Sequence, residues 1–314
     1  MADNPTKIYN DFVRANLPIG MSYDLNTNRY DINNHSFFKF KNSNWYYKYI
    51  SKYGYSAGSA YYVNGFEPSL VLDFQQDYYR TDGTASTFSD AVTHSRTGNA
   101  TMVDADGLLK WAPHNLVPDS TGWVGISGSY TTGTSDPDGG SDAITATNTL
   151  IVENVSNLTV GVVHTFQSVI KAGTATTIVV GGNITGSNLY VVVDLLTNSI
   201  TSTPSGYTAS VADYGPDGWK IVTWSASPSS TSRNIYFARC DGVAGADSGT
   251  LDVYATRAYR SDLGGMVNNP DRGDSYVPTT TVARYLPRRG HHIYNGTSWV
   301  NEGLLHESDA RTNL

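Results

Sequence analysis

The sequence has almost no cysteine and no long apolar run, and both shortages restrict the kind of protein it encodes. Cys240 is the single cysteine among 314 residues, so the chain cannot form an internal disulfide. That count is typical of a fold assembled in a reducing compartment. Cys240 ends the strand-like run Asn234–Cys240, and we interpret it as a buried, inert thiol. No apolar stretch has the length of a membrane span, so we expect no membrane insertion.

Long basic runs are also missing. The chain carries 21 Lys and Arg against 28 Asp and Glu, a formal net charge of −7, and its densest basic cluster is Arg284–Arg289. This balance argues against nucleic acid or an anionic membrane as the main partner. The N-terminus lacks the charged start and apolar core of a signal peptide, so we expect a protein made in the cytoplasm and not exported by ordinary secretion.

Strand-forming runs alternate with turn residues through the middle of the chain. The stretch Leu189–Ala226 contains three such runs, separated by turns rich in Pro, Gly, Asn and Asp. Similar runs recur at near-regular spacing from Ala143 to Tyr259, and no helical pattern interrupts them. This arrangement predicts an all-β fold, an antiparallel β-sandwich or jelly roll.

Changes in composition divide the chain into four predicted parts. Residues 1–67 form an irregular N-terminal docking arm, and residues 68–113 supply leader strands that pack on the sandwich. The sandwich itself spans 114–262. Residues 263–314 form a C-terminal connector, in which the run Ile293–Val300 predicts a hairpin turned by Asn295-Gly296.

The predicted docking arm is rich in Asn and Tyr and poor in aliphatic residues. Exposed aromatic side chains of this kind become buried against partner proteins. The alternative is that the arm packs on its own sandwich. The aromatic docking candidates are Trp45, Tyr46, Tyr47, Tyr49, Tyr53 and Tyr55.

No catalytic constellation is visible in the sequence. There is no G-x-S-x-G nucleophile elbow, and nothing sets two carboxylates against a cleft as glycoside hydrolysis requires. His291-His292 follow each other directly, and adjacent strand residues point to opposite sides, so an exposed polar turn is favoured over a metal site. We therefore expect a protein that is not an enzyme.

Three tryptophans are candidates for glycan binding, because an aromatic ring can stack on the apolar face of a sugar. They are Trp123, Trp219 and Trp224. Trp219 and Trp224 are separated by an odd number of positions, so a regular strand places them on opposite faces. We expect one of them in the core and the other at the surface, and core packing remains the alternative for each.

Three aspartates are candidates for calcium binding, and calcium is the only cofactor that the sequence suggests. Asp136, Asp138 and Asp142 lie in the glycine-rich polar loop predicted over Thr131–Asp142 and offer the hard oxygen ligands that this ion prefers. The alternative is a solvated loop in which the aspartates cap turns.

Several motifs, taken in order, carry a resemblance to a known family. They are Val163–Thr174, Tyr190–Ser202, Ser210–Ser227, Leu251–Arg260 and Ser275–Thr281. This order resembles the carbohydrate-binding-module-like jelly roll of bacteriophage tail and fibre proteins. Thr87–Ser120 resembles the leader that precedes such modules, and Pro287–Leu314 resembles the connector that follows them.

The resemblance implies a virion protein made in the host cytoplasm, a tail-fibre or fibre-adaptor subunit that supports adsorption to host-surface glycans. It also implies a homotrimer attached to other virion proteins of the tail, portal or capsid vertex. The alternatives are a head-anchored fibre or capsid decoration protein with a purely structural role, and a polysaccharide depolymerase.

Overall fold

A computed structural model describes residues 22–24, 29–31, 69–121 and 126–306, with backbone alone for the first two ranges and for 126–127. The chain divides into two compact units, the smaller formed by Met1–Val71 with Tyr79–Ser86 and the larger by Leu72–Tyr78 with Thr87–Leu314. Among the described residues the only helix is α1 (Phe88–Ala91). No described helix is long and apolar enough to span a membrane.

Strands dominate the described residues, and the paired strands run antiparallel. In chain order they are β1 (Ser22–Asp24), β2 (Arg29–Asp31), β3 (Val71–Asp73), β4 (Tyr78–Thr81), β5 (Thr84–Ser86), β6 (Thr101–Val103), β7 (Leu109–Trp111), β8 (His114–Asn115), β9 (Ile126–Thr134), β10 (Ala143–Val155), β11 (His164–Ala172), β12 (Thr177–Gly182), β13 (Leu189–Asp194), β14 (Ser199–Ser202), β15 (Thr208–Asp213), β16 (Trp219–Ala226), β17 (Arg233–Arg239), β18 (Thr250–Arg260), β19 (Arg284–Tyr285), β20 (Arg288–Tyr294) and β21 (Trp299–Leu305).

In the smaller unit, the described residues form two hairpins. Strands β1 and β2 pair with Tyr23 opposite Tyr30, and β4 pairs with β5 through Thr81 opposite Thr84. A two-residue turn links β4 and β5, and Asp82 (φ 49°) and Gly83 (φ 75°) both have positive φ. That conformation is the one a tight hairpin turn requires.

The larger unit is built on one ten-stranded sheet. Its order is β14-β13-β12-β17-β10-β18-β11-β16-β15, with β9 added beside β10. Strand β10 pairs with β18 through Ile144–Thr147 and with β17 through Leu150–Val155. Between these two segments Asn148 has a positive φ of 45°. Strand β10 is therefore the corner at which the sheet passes from one layer of a sandwich to the other. The first layer contains β14, β13, β12 and β17, and the second contains β18, β11, β16 and β15.

The main core lies between the two layers. Phe237 on β17 contacts Trp224 on β16 with ring centroids 5.8 Å apart, and Phe166 on β11 stacks on the same indole at the same separation. Strands β12 and β13 contribute Val180 and Val193 to this core from the first layer. The all-β, sandwich-like fold predicted from the sequence is confirmed.

Strands β13 (Leu189–Asp194) and β16 (Trp219–Ala226) both lie within the strand-rich stretch Leu189–Ala226 that the sequence predicts. The prediction of a polar loop over Thr131–Asp142 is wrong in its first part, because β9 continues to Thr134 along β10. Threonine is β-branched and suits a strand. The strand therefore continues through these threonines although apolar and polar residues no longer alternate.

Two smaller predictions concern the thiol and the hairpin. Cys240 is fully buried in the main core, and its Sγ donates to the backbone oxygen of Gly249 at 3.3 Å, which confirms the buried thiol. Burial raises the pKa of this thiol, so it stays protonated at neutral pH.

The predicted connector hairpin is also confirmed, with Tyr294 of β20 opposite Trp299 of β21.

Candidate functional site

The outer face of the second layer carries a polar row that crosses four neighbouring strands. Ser210 of β15 lies opposite Thr223 of β16, Thr223 opposite Gln167 of β11, and Gln167 opposite Arg257 of β18. Residues directly opposite in an antiparallel pair lie on the same face. Gln167 Nε2 donates to Thr223 Oγ1 at 3.1 Å, so the row is also linked by side chains.

A second polar row runs parallel to the first. Thr208, Ser225, Thr165 and Tyr259 are paired in register on the same four strands. The hydroxyl oxygens of Thr165 and Ser225 are 2.8 Å apart. The two rows together, which we call the polar face, carry hydroxyl and amide groups on a rigid sheet, and Thr208 and Ser210 at its β15 edge are exposed.

Arg257 ends the first row and is 2% exposed. Its Nη1 donates to Ser275 Oγ at 2.7 Å and to Gln167 Oε1 at 3.5 Å. Its Nη2 donates to the Tyr214 hydroxyl and to Asp274 Oδ2, each at 3.2 Å. A buried guanidinium is tolerated only when it is paired and hydrogen-bonded in this way.

Two aromatic rings flank the same guanidinium. Arg257 Cζ is 5.0 Å from the ring centroid of Tyr276 and 5.6 Å from that of Tyr214. Tyr214 in turn donates to Asp274 Oδ2 at 2.9 Å. Burial raises the pKa of Tyr276 to about 12 and also raises that of Tyr214, so both hydroxyls remain donors at neutral pH.

A second ion pair holds the segment that carries Asp274. Arg272 pairs with the Asp138 carboxylate, and its Nε is 3.5 Å from Asp274 Oδ1. The Tyr254 hydroxyl donates to Asp138 Oδ2 at 2.6 Å. Burial alone raises the pKa of Asp138, but the hydrogen bonds from Tyr254 and Arg272 outweigh it and hold that pKa below its usual range. One end of the polar face is therefore fixed by charged contacts, and the β15 end is open.

Trp219 and Trp224 do lie on opposite faces of β16, but the prediction that one of them is at the surface is wrong. Trp224 is fully buried in the main core, and Trp219 is 2% exposed. Trp219 packs edge-on against Tyr254, with ring centroids 6.3 Å apart, in a second cluster that also contains Tyr276. Both faces of this strand are covered, so neither indole presents a face to a ligand.

The three aspartates predicted to bind calcium have other partners. Asp136 is buried and accepts backbone N–H bonds from Asp138 (2.9 Å), Gly140 (2.9 Å) and Asp142 (3.0 Å). Asp138 pairs with Arg272, and Asp142 is exposed. Within residues 69–121 and 126–306 no group of three or more His, Cys, Asp or Glu side chains is placed to hold a metal ion. These aspartates do not assemble the predicted calcium site, and Asp136 caps the loop instead.

The remaining predicted site residues lie outside the described part of the chain. They are Trp123 and the six docking candidates Trp45, Tyr46, Tyr47, Tyr49, Tyr53 and Tyr55. Their predicted roles in glycan binding and docking stay predictions.

An exposed aromatic pair at the tip of the β20–β21 hairpin was not predicted. Tyr294 is 57% exposed and Trp299 40%, and their ring centroids are 5.5 Å apart. Trp299 rests on the backbone of Gly107, where a Cβ atom would come within 2.1 Å of the indole. The available signal was an aromatic residue on either side of the four residues Asn295–Ser298; when these four form the hairpin loop, Tyr294 and Trp299 are cross-strand neighbours.

Glu153 on β10 is a buried carboxyl group outside the polar face. Burial raises its pKa to about 8, and the nearby Asp119 adds to the increase. A raised carboxyl pKa is found in general acids, but it is also the ordinary result of burying a carboxyl group.

The Glu153 carboxyl should make the stability of the protein depend on pH. Its folded pKa of about 8 lies above its ordinary value of 4.5, so between those values the folded state holds a proton that the unfolded state has lost. We expect the free energy of unfolding to fall by roughly 3 to 4 kcal/mol as the pH rises from about 5 to about 8, and Glu153→Gln to remove most of that fall. Urea unfolding across this range measures it.

Glu302 provides the matched control for this experiment, because it is a glutamate on an exposed position of β21. Glu302→Gln should leave the pH profile of the parent protein unchanged. A Glu153→Gln protein that keeps the full slope would show that Glu153 is ionised in the fold.

Comparisons with known proteins add no family assignment. No protein-family model matches the chain, and no curated protein matches it. The fold class therefore rests on the sheet topology and the core described above.

Proposed function

We propose that the protein is a structural subunit of a bacteriophage particle, a tail-fibre or fibre-adaptor subunit, whose β-sandwich contacts host-surface glycans through the polar face. The sequence resemblance to phage carbohydrate-binding-like modules motivates the proposal. The polar face is the observation that carries it: hydroxyl and amide side chains in register on neighbouring strands, exposed at the β15 edge at Thr208 and Ser210.

The chemistry of the polar face suits a neutral glycan. Sugar hydroxyls both donate and accept hydrogen bonds, and so do the hydroxyl and amide groups of Thr208, Ser210 and Thr223. Contacts of this kind are individually weak in water. Adsorption would depend on several copies of the protein acting together, because linked sites gain effective concentration. We propose a homotrimer attached to other virion proteins for the same reason.

Glycan binding can be tested on an array of bacterial surface polysaccharides, with the protein displayed multivalently. Ser210→Glu places a bulky charge at the open edge of the polar face, and we expect it to abolish the signal of the parent protein. Ser187→Glu, in the exposed loop between β12 and β13, is the matched control and should bind as the parent does.

Two results would overturn the adsorption role. One is an array on which the multivalent parent protein binds no glycan. The other is a Ser210→Glu protein that binds as well as the parent, because the glycan would then contact another surface.

A purely structural role, as a head-anchored fibre or decoration protein, is the second candidate. One observation favours it: Arg257 donates its hydrogen bonds to acceptors within its own chain, including Ser275 and Asp274. A guanidinium used in this way fixes the segment that carries those residues to the sheet and does not bind a ligand. Electron microscopy of particles with a labelled antibody would distinguish attachment at the tail from attachment at the head.

A further inference from the structure

The larger unit contains a cavity of about 460 Å³, well separated in sequence from the strands β15 and β16 of the polar face. Its walls come from α1 and the residues that follow it as far as Arg96, and from the segments 270–271 and 282–289. Cavities of this volume accommodate small ligands. We call it the Arg96 pocket.

The charged side chains that line the Arg96 pocket are mostly basic. They are Arg96, Arg284 and Arg289, against the single acidic residue Asp271. His94 also lines the pocket, but burial and the nearby Arg96 lower its pKa, so it is mostly neutral at neutral pH. Asp271 is already paired, because its Oδ1 is 2.5 Å from Arg289 Nη1. Among the pocket-lining residues, no acidic side chain is therefore left to pair with Arg96 or Arg284.

Arg96 is the group whose charge is least compensated. Its Nε and Nη2 are enclosed by protein, and no residue within 69–121 and 126–306 accepts a hydrogen bond from either. The ionisable groups that act on it are Arg288, which is also basic, and Tyr285, which is neutral at neutral pH. Burial, together with Arg288, lowers the pKa of Arg96 to about 10, so the guanidinium is still charged at neutral pH. A partly buried charge without a counter-charge is unfavourable.

Apolar side chains also line the pocket. They include Val282, Leu286 and Pro287, together with Phe88, whose ring centroid is 4.6 Å from Arg289 Cζ. A ligand that combined an anionic group with an apolar face would suit this mixed lining. An anion near Arg96 would supply the counter-charge that the described residues do not provide.

We propose that the Arg96 pocket binds the oxyanion of a small ligand, a carboxylate or phosphate group on a molecule of about monosaccharide size. The Arg96 guanidinium supplies the main counter-charge, and Arg284 adds to it. The site is independent of the proposed glycan contact, because none of its residues belongs to the polar face.

Isothermal titration calorimetry on the whole chain tests the site, with sodium glucuronate, inorganic phosphate and neutral glucose as probes. We expect at least one of the two oxyanions to bind and glucose not to bind. Glucuronate alone would identify a carboxylate site, and phosphate alone a phosphate site. Arg96→Gln should weaken the binding about tenfold or more, as the loss of a charged hydrogen-bond donor does.

Arg233→Gln is the matched control, because Arg233 lies on β17 and does not line the pocket. The Arg233→Gln protein should bind the oxyanion with the same affinity as the parent protein. Circular dichroism checks that Arg96→Gln folds.

A second measurement needs no variant: glucuronate or phosphate should raise the melting temperature of the parent protein, and sodium chloride of the same ionic strength should not. The absence of oxyanion binding, or equal binding by Arg96→Gln, overturns the proposal.

Discussion

Replacement of Trp224 by alanine is expected to lower the free energy of unfolding by about 4 kcal/mol. The indole is fully buried between the two layers of the sandwich, where it contacts Phe166 of its own layer and Phe237 of the other. Alanine would leave a cavity that these rings cannot fill, since the strands around it are fixed by backbone hydrogen bonds. Chemical denaturation monitored by far-ultraviolet circular dichroism measures the loss.

Trp299→Ala is the matched control, because Trp299 is a tryptophan that is 40% exposed at the hairpin tip. We expect it to cost less than about 1.5 kcal/mol. Equal losses for the two variants would contradict the core role of Trp224. The comparison also separates a core tryptophan from a glycan platform, since a platform residue could be removed with little effect on stability.

Arg257→Met is expected to lower the free energy of unfolding by about 3 kcal/mol. Methionine retains part of the length and apolar bulk of the side chain but removes the donors that serve Gln167, Tyr214, Asp274 and Ser275. Asp274 is partly exposed and can turn to water, which keeps the loss below that of a fully enclosed ion pair. The same denaturation experiment measures it.

Arg233→Met is the control for this variant. Arg233 is an arginine on the neighbouring layer whose Nη2 donates to Ser229 Oγ at an exposed site. A loss within about 0.5 kcal/mol is expected there. If Arg257→Met were as stable as the parent, the buried charge would cost as much as its contacts provide, as some buried ion pairs do.

The fold class could be predicted from the sequence because the sandwich is built from local signals. The runs that became β13 and β16 are bounded by Pro, Gly, Asn and Asp, and these residues set the ends of both strands. Strand β9 was missed because its glycine and threonine residues do not alternate with apolar ones. Its pairing with β10 is specified by tertiary contact, which propensity does not encode.

The candidate site was much less predictable. Strand periodicity correctly put Trp219 and Trp224 on opposite faces, but it cannot tell which faces are covered. Trp219 is buried in a cluster that includes Tyr276, a residue 57 positions later in the chain, and Arg257 is paired with residues from three separate segments. Contacts of that range depend on the folded topology, so a single sequence does not reveal them.

Strand β9 has a consequence for how copies of the protein behave beside one another. Among the described strands its only partner is β10, so its other edge is open, and residues 128–133 are exposed. An open edge invites strand addition from a second chain, which is a common start of aggregation. Gly128 and Gly133, with φ of 134° and 81°, bend the backbone out of the extended geometry that such pairing needs. These two irregularities, which coincide with shifts in the β9–β10 register, therefore oppose strand addition between copies of the chain at this edge.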